Sequence, residues 1–287
     1  MRVPLLYYFV NQAKSHRQAY APNPPLRVYA HPSVAANTPI FDQGICVRVW
    51  DWSETSQTVA ILTRTQGLIR GIAKGAKRER SNFSGGFEVA TKGEVGVSIK
   101  RGDQLSLLTA WDLRELYPSI RTTSSGFAAG MALLDAAQSS VQPLDPHPGL
   151  FDALESALAR LSGSREADAA IVTRFLWTAL DDTGHKPELT RDVATGLVLE
   201  PAATFGFSSR LGGLIANDRS NDAWRVRRET VELLRLLDSP PPSKSSGPTN
   251  DAPAIAYERA GKLLALYLRE VVGREMPALS AFVEAKE

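Results

Sequence analysis

One cysteine, Cys46, stands in 287 residues, so neither an intrachain disulfide nor a thiolate-built zinc site is available to the chain. Histidine is almost as scarce: the four, at 16, 31, 147 and 185, lie at no metal-ligand spacing from one another or from Cys46. Neither G-x-x-x-x-G-K-[ST] nor G-x-G-x-x-G occurs, and Gly67-Leu68-Ile69-Arg70-Gly71 lacks the lysine spacing of a phosphate loop, so nucleotide hydrolysis has no visible machinery. No apolar run reaches the roughly 20 residues that span a bilayer, and no repeat of fixed period suggests a solenoid. Net charge is also small. Thirty-three Lys+Arg against 31 Asp+Glu leave +2, so attraction to a polyanion has to come from local clustering.

What remains is an ordinary globular composition, 43% apolar and 22% charged, with a length that fits two domains of about 150 residues. Residues 1–40 read as an irregular extension. Arg2, the stretch Val3 to Val10 and Ala19-Tyr20-Ala21 imitate an export signal, but Lys14, His16 and Arg17 interrupt it, and five prolines follow by residue 39. From Gln43 the pattern has period two: Ile45, Val47 and Val49 on one face, Cys46, Arg48 and Trp50 on the other. Val59 to Leu62, Leu68 to Lys74, Phe87-Glu88-Val89, Val95 to Ile99 and Leu105 to Trp111 continue short strands, which predicts a five- or six-stranded barrel or sandwich. Past Tyr117-Pro118 the period becomes helical. Phe127 to Gln138, Leu150 to Leu161 and Ile171 to Leu180, with Ser164 a candidate N-cap, give three helices. Trp224, Val231, Leu234 and Leu237 give a fourth and Leu263 to Val271 a fifth. Between these two, residues 239–253 hold five prolines and read as a flexible insertion.

The one concentrated chemical signal runs from Arg64 to Arg80, where Arg64, Arg70, Lys74, Lys77, Arg78 and Arg80 face a single acid, Glu79. A basic strand edge running into a loop can track a phosphate backbone; Lys and Arg on an exposed edge can equally serve to prevent aggregation. Trp50, Trp52, Phe83 and Phe87 could stack bases beside these cations or could be core. Elsewhere the candidates are weaker. Asp181 and Asp182 diverge by about 100° on a helix and read as a solvated helix end, and Cys46 sits where a strand expects a small apolar side chain.

Three stretches resemble the RecO family of bacterial DNA repair and recombination mediators: Gly44-Ile45-Cys46-Val47-Arg48, then Glu54-Thr55, then ILTRTQGLIRGIAKGAKRERSNFSGG from Ile61 to Gly86. Leu113-Arg114-Glu115-Leu116-Tyr117 and GHKPEL from Gly184 to Leu189 resemble the start and middle of that family's helical domain. The likeness covers about residues 41–283. It implies an α+β chain, an OB-type barrel at 41–118 followed by a helical domain at 119–287, and it implies DNA binding, strand annealing and recombinase loading. Implied partners are single- and double-stranded DNA, RecR and single-stranded-DNA-binding protein, with a cytoplasmic, nucleoid-associated location, no membrane and no cofactor.

The extension 1–40 and the insertion 239–253 lie outside the likeness, and within it the chain departs from the family at the metal ligands. Many relatives carry two C-x-x-C pairs, and the matching positions here are Asp192 and Thr195, then Ala216 and Arg219. The segment is therefore expected to persist without zinc. The expected function is a mediator that makes and breaks no bond. A protein-binding adaptor whose barrel does not touch DNA is the alternative, and a hydrolase built on Asp181, Asp182 and His185 a third.

Overall fold

The computed structural model describes residues 39–100, 104–216, 223–239 and 252–285. The extension expected over 1–40 and the insertion expected over 239–253 fall, but for their inner ends, outside these residues. The period-two segments form β1 (Ile40–Asp51), β2 (Gln57–Thr63), β3 (Gly67–Ala73), β4 (Thr91–Ser98) and β5 (Ser106–Glu115). They close into a barrel in the order β1-β2-β3-β5-β4, with β4 returning to β1 and every pairing antiparallel except β3 with β5. This is an OB-type barrel.

Its interior is filled by Cys46, Val59, Ile61, Ile69, Val95, Val97, Leu108 and Trp111. Trp111 fits because β4 has no side chain at Gly93, where a Cβ would stand 3.0 Å from the indole. Phe83 and Phe87 close one end of the barrel, Phe87 lying 4.9 Å from the Trp111 ring. Phe87-Glu88-Val89 is therefore an irregular segment rather than a strand. The carboxamide of Gln57 exchanges hydrogen bonds with the backbone of Phe87, 2.9 and 3.1 Å, and Ser84, Gly85, Gly86 and Ala90 all have positive φ, which no ladder tolerates.

The chain then turns helical: α1 (Ser119–Thr122), α2 (Ser124–Ser140), α3 (Pro148–Gly163), α4 (Asp168–Asp182), α5 (Arg228–Asp238), α6 (Ala254–Val272) and α7 (Pro277–Glu284). Thr123 caps α2 by accepting the Gly126 N–H at 3.1 Å. Ser164, expected to start α4, instead ends α3, its N–H bonded to Arg160. The helices carry one insert: β6 (Thr204–Ser208), β7 (Gly213–Ile215) and β8 (Trp224–Arg227) form a small antiparallel sheet in the order β7-β6-β8. Trp224, expected on a helix, thus lies on a strand, where Trp-Arg-Val-Arg alternates with period two.

Barrel and helices share a core. Ile45, Ala60, Leu62 and Leu68, on the outside of β1 to β3, are buried in one apolar cluster with Leu133, Ala137, Phe151 and Leu154 of α2 and α3. At the seam the β2–β3 turn passes against the chain between α2 and α3. Gly67 has φ +73, and a Cβ there would stand 2.3 Å from the Asp145 carbonyl oxygen. Leu144 N–H donates to the Leu68 carbonyl at 3.1 Å.

Candidate nucleic-acid interface

The helices cover only part of the outer wall of β1 to β3. In the register of the barrel, Arg48 pairs with Ala60 and Ala60 with Arg70, while Trp50 pairs with Thr58 and Thr58 with Ile72. Directly paired residues share a face, so these form two adjacent rows on the outer wall. Arg48, Trp50 and Arg70 are exposed, and Thr58 and Ile72 partly so. The Arg48 guanidinium lies 5.0 Å from the Trp50 ring centre, an arrangement that holds the indole at the surface.

This placement depends on a bulge. The β1–β2 register shifts between Cys46 and Arg48, and the extra residue reverses the inward and outward alternation. Cys46 points into the barrel while Arg48 and Trp50 lie outside. The expectation that these three share a face is thereby corrected. Burial pushes the Cys46 thiol up to about 12, which keeps it protonated and unreactive.

At the end of these rows two loops meet. The β1–β2 loop carries exposed Trp52, and the chain after β3 carries exposed Lys74, Lys77, Arg78 and Arg80. They are tied together: Gly75 N–H donates to Ser56 Oγ at 3.1 Å, Lys77 N–H to the Thr55 carbonyl at 3.1 Å, and Lys77 Nζ reaches Asp51 at 2.6 Å. Lys74 lies one residue past the end of β3, so it belongs to this loop rather than to the strand carrying Arg70. Phe83 and Phe87 are buried in the barrel. Of the four aromatic candidates, only Trp50 and Trp52 are exposed.

Arg64 is separated from the other five cations. It lies in the β2–β3 turn, whose shape is set by Asp42 accepting from Thr65 and Gln66. Its guanidinium makes a two-pronged bond to Asp152 of α3, 2.9 and 2.8 Å. That bond holds the Asp152 carboxyl below its usual range. The seven residues of β3 put about 23 Å between the turn and the loop after Ala73. Arg64 thus ties the barrel to α3, whereas Arg70 shares the outer wall with Arg48 and Trp50, and Lys74, Lys77, Arg78 and Arg80 lie on the loop bonded to the Trp52 loop. Arg48, absent from the expected set, lies on the same wall as Arg70 and Trp50, where the β1–β2 register shift turns it outward.

Residues 39–117 match the family model described as recombination protein O N terminal, and residues 121–280 the one described as recombination protein O C terminal. The chain belongs to the RecO family. A DNA repair protein RecO of Rhodopirellula baltica is 31% identical over 201 residues, 69% of this chain and 74% of that one. The DNA repair protein RecO of Thermobifida fusca is 29% identical over 178 residues, 61% and 71% of the two chains. That of a Synechococcus strain is 26% identical over 250 residues, 81% and 85%.

Where RecO relatives with paired cysteines would hold zinc, this chain has one candidate ligand, and it is already engaged. Asp192, only 7% exposed, accepts from Ala194 and Thr195 N–H through Oδ1 at 2.8 and 3.0 Å and from Ala216 N–H through Oδ2 at 2.8 Å. These bonds, Ala216's first, hold its carboxyl below the usual range. Thr195 and Ala216 offer no ionisable donor, so the described residues do not fit the metal; Arg219 lies outside them. No group of three or more His, Cys, Asp or Glu among the described residues could hold a metal. The hydrolytic alternative is not assembled either. Asp182 Oδ2 lies 2.8 Å from His147 Nδ1, Asp181 pairs with Lys186 at 3.6 Å, and His185 is exposed.

Proposed function

We propose that this RecO-family chain acts in DNA repair and recombination as a DNA-binding mediator that promotes strand annealing and recombinase loading without making or breaking bonds. The observation that carries the reading is the joining of Trp50 and Trp52 with Arg48, Arg70 and the loop cations Lys74, Lys77, Arg78 and Arg80 on the open part of the barrel wall. Cations neutralise phosphates regardless of sequence, and indole faces accept any base. Such a surface binds single strands by backbone and stacking, and duplex by backbone alone. The relatives, each a DNA repair protein RecO, support the repair role, and RecR and single-stranded-DNA-binding protein are the partners that the family resemblance suggests. No helix among the described residues is long and apolar enough to cross a membrane; a cytoplasmic, nucleoid-associated site of action is part of the same proposal.

Titration of labelled single- and double-stranded DNA at several salt concentrations tests it. Replacing Lys74, Lys77 and Arg78 together by Ala should flatten the slope of log affinity against log salt by roughly two units, at about 0.7 per phosphate on a single strand and about 0.9 on duplex. All sequences should weaken alike. A triple variant that melts normally and binds with unchanged affinity and slope refutes the assignment and leaves the barrel a protein-binding adaptor.

A further inference from the structure

A second surface of the chain has the same chemistry as the barrel wall and lies on different elements. β8 and α6 enclose an open groove of about 300 Å³. Arg225 and Arg227 stand two apart on β8, and Arg259 and Lys262 three apart on α6, so each pair shares a face of its own element. All four line the groove, and no carboxylate among the described residues does. Glu258, next to Arg259 in the chain, lines a different, small cavity against Thr173. The wall is completed by Leu263 and Trp224.

Trp224 is held as a rigid surface. Its ring stacks on Phe207 with centroids 5.8 Å apart and planes 3° from parallel, and Phe207 in turn meets the edge of Tyr267 at 5.1 Å. Phe207 and Tyr267 are buried, and Trp224 is partly exposed. An indole fixed in this way accepts a planar group without further loss of rotamer freedom.

We infer that the β8–α6 groove is a subsite for single-stranded nucleic acid, taking backbone phosphates on Arg227 and Arg259 and a base against Trp224. The inference rests on the DNA-binding reading above and adds a contact surface in the helical half, separate in sequence from the barrel wall. Two surfaces of one sign on one chain allow two strands to be held together, which is what annealing requires. An acidic segment of a protein partner would meet the same charges; the aromatic ladder ending in Trp224 favours the nucleic acid.

Arg225 and Lys262 have interactions of their own within the chain, so the test uses the other two cations. Arg227→Gln and Arg259→Gln are combined, and binding of an oligothymidylate is followed against salt beside the Lys74, Lys77 and Arg78 triple variant. Loss of two contacts should flatten the slope by roughly 1.4 and weaken binding roughly twentyfold at 0.1 M salt. Trp224→Leu should leave the slope intact and weaken binding roughly five- to a hundredfold. A double variant that melts as wild type and keeps its slope and affinity overturns the inference while leaving the barrel assignment standing. Unchanged DNA binding with lost binding of an oligoglutamate peptide overturns it too, in favour of an acidic protein segment. Failure of the wild-type chain to bind any DNA overturns both readings.

Discussion

Replacing Asp192 tests whether a carboxylate has taken over a structural role that zinc fills in cysteine-bearing relatives. The side chain is 7% exposed and receives three backbone N–H bonds, two from its own turn and one from Ala216, 24 residues on. Hydrogen bonds to a charged group contribute about 1.5–3 kcal/mol each, and a donor stranded by loss of its acceptor is penalised by about 1–3 kcal/mol. The three share one carboxylate and are not additive, so Asp192→Ala should destabilise by about 3–5 kcal/mol. Asp192→Asn keeps one acceptor oxygen and turns an amide donor toward one of the N–H groups. Its loss should be smaller, about 1.5–3 kcal/mol.

Urea unfolding followed by circular dichroism measures both. Acid adds a sign. Because the folded carboxyl titrates below its unfolded value of about 3.9, its contribution is complete above that value and disappears as pH falls through the lower folded pKa. The gap between wild type and Asp192→Asn should therefore be flat from neutral pH to about 5 and narrow below about 4. The reasoning fails if Asp192→Ala unfolds within about 0.5 kcal/mol of wild type, or if the purified chain carries one tightly held zinc.

Gly67→Ala should destabilise by about 2–4 kcal/mol, since a side chain at φ +73 is strained and its Cβ would meet the Asp145 carbonyl at 2.3 Å; a thermal melt reads this directly. Cys46, fully buried and with its thiol raised to about 12, should resist a disulfide reagent at pH 8 until the chain unfolds, so modification at the rate of a free thiol would contradict the barrel interior. Arg64→Ala, which breaks the exposed pair with Asp152, should leave the salt slope of DNA binding unchanged; a loss of about one unit would place Arg64 on phosphate.

The strands were legible because a wall with one face inside a barrel must alternate, and five of the six expected runs are strands whose ends alone moved, the first of them with a bulge besides. Phe87-Glu88-Val89 misled because Phe87 packs into the barrel cluster and Val89 against the cluster shared with the helices, so its apolar residues line no single wall and obey no period. Trp224 misled for another reason: its seven-residue spacing from Val231 fits a helix, yet the chain changes from strand to helix at Arg228. The basic loop was visible as charge density alone. Arg48 escaped because a bulge is a pairing event between two strands, invisible in either one. Arg64 carried the same signal as its neighbours, and its bond to Asp152, 88 positions away, could not be read from the sequence.

The buried seam at Ile45, Ala60, Leu62 and Leu68 limits how this chain can be cut. A fragment ending near residue 118 would keep every barrel hydrogen bond between strands and yet present a contiguous aliphatic stripe to water, a ready surface for self-association. A usable isolated barrel would need polar replacements at Leu62 and Leu68. The same seam denies the chain a hinge between barrel and helices: any molecule seated on the outer wall of the barrel would be carried with the helices as one piece.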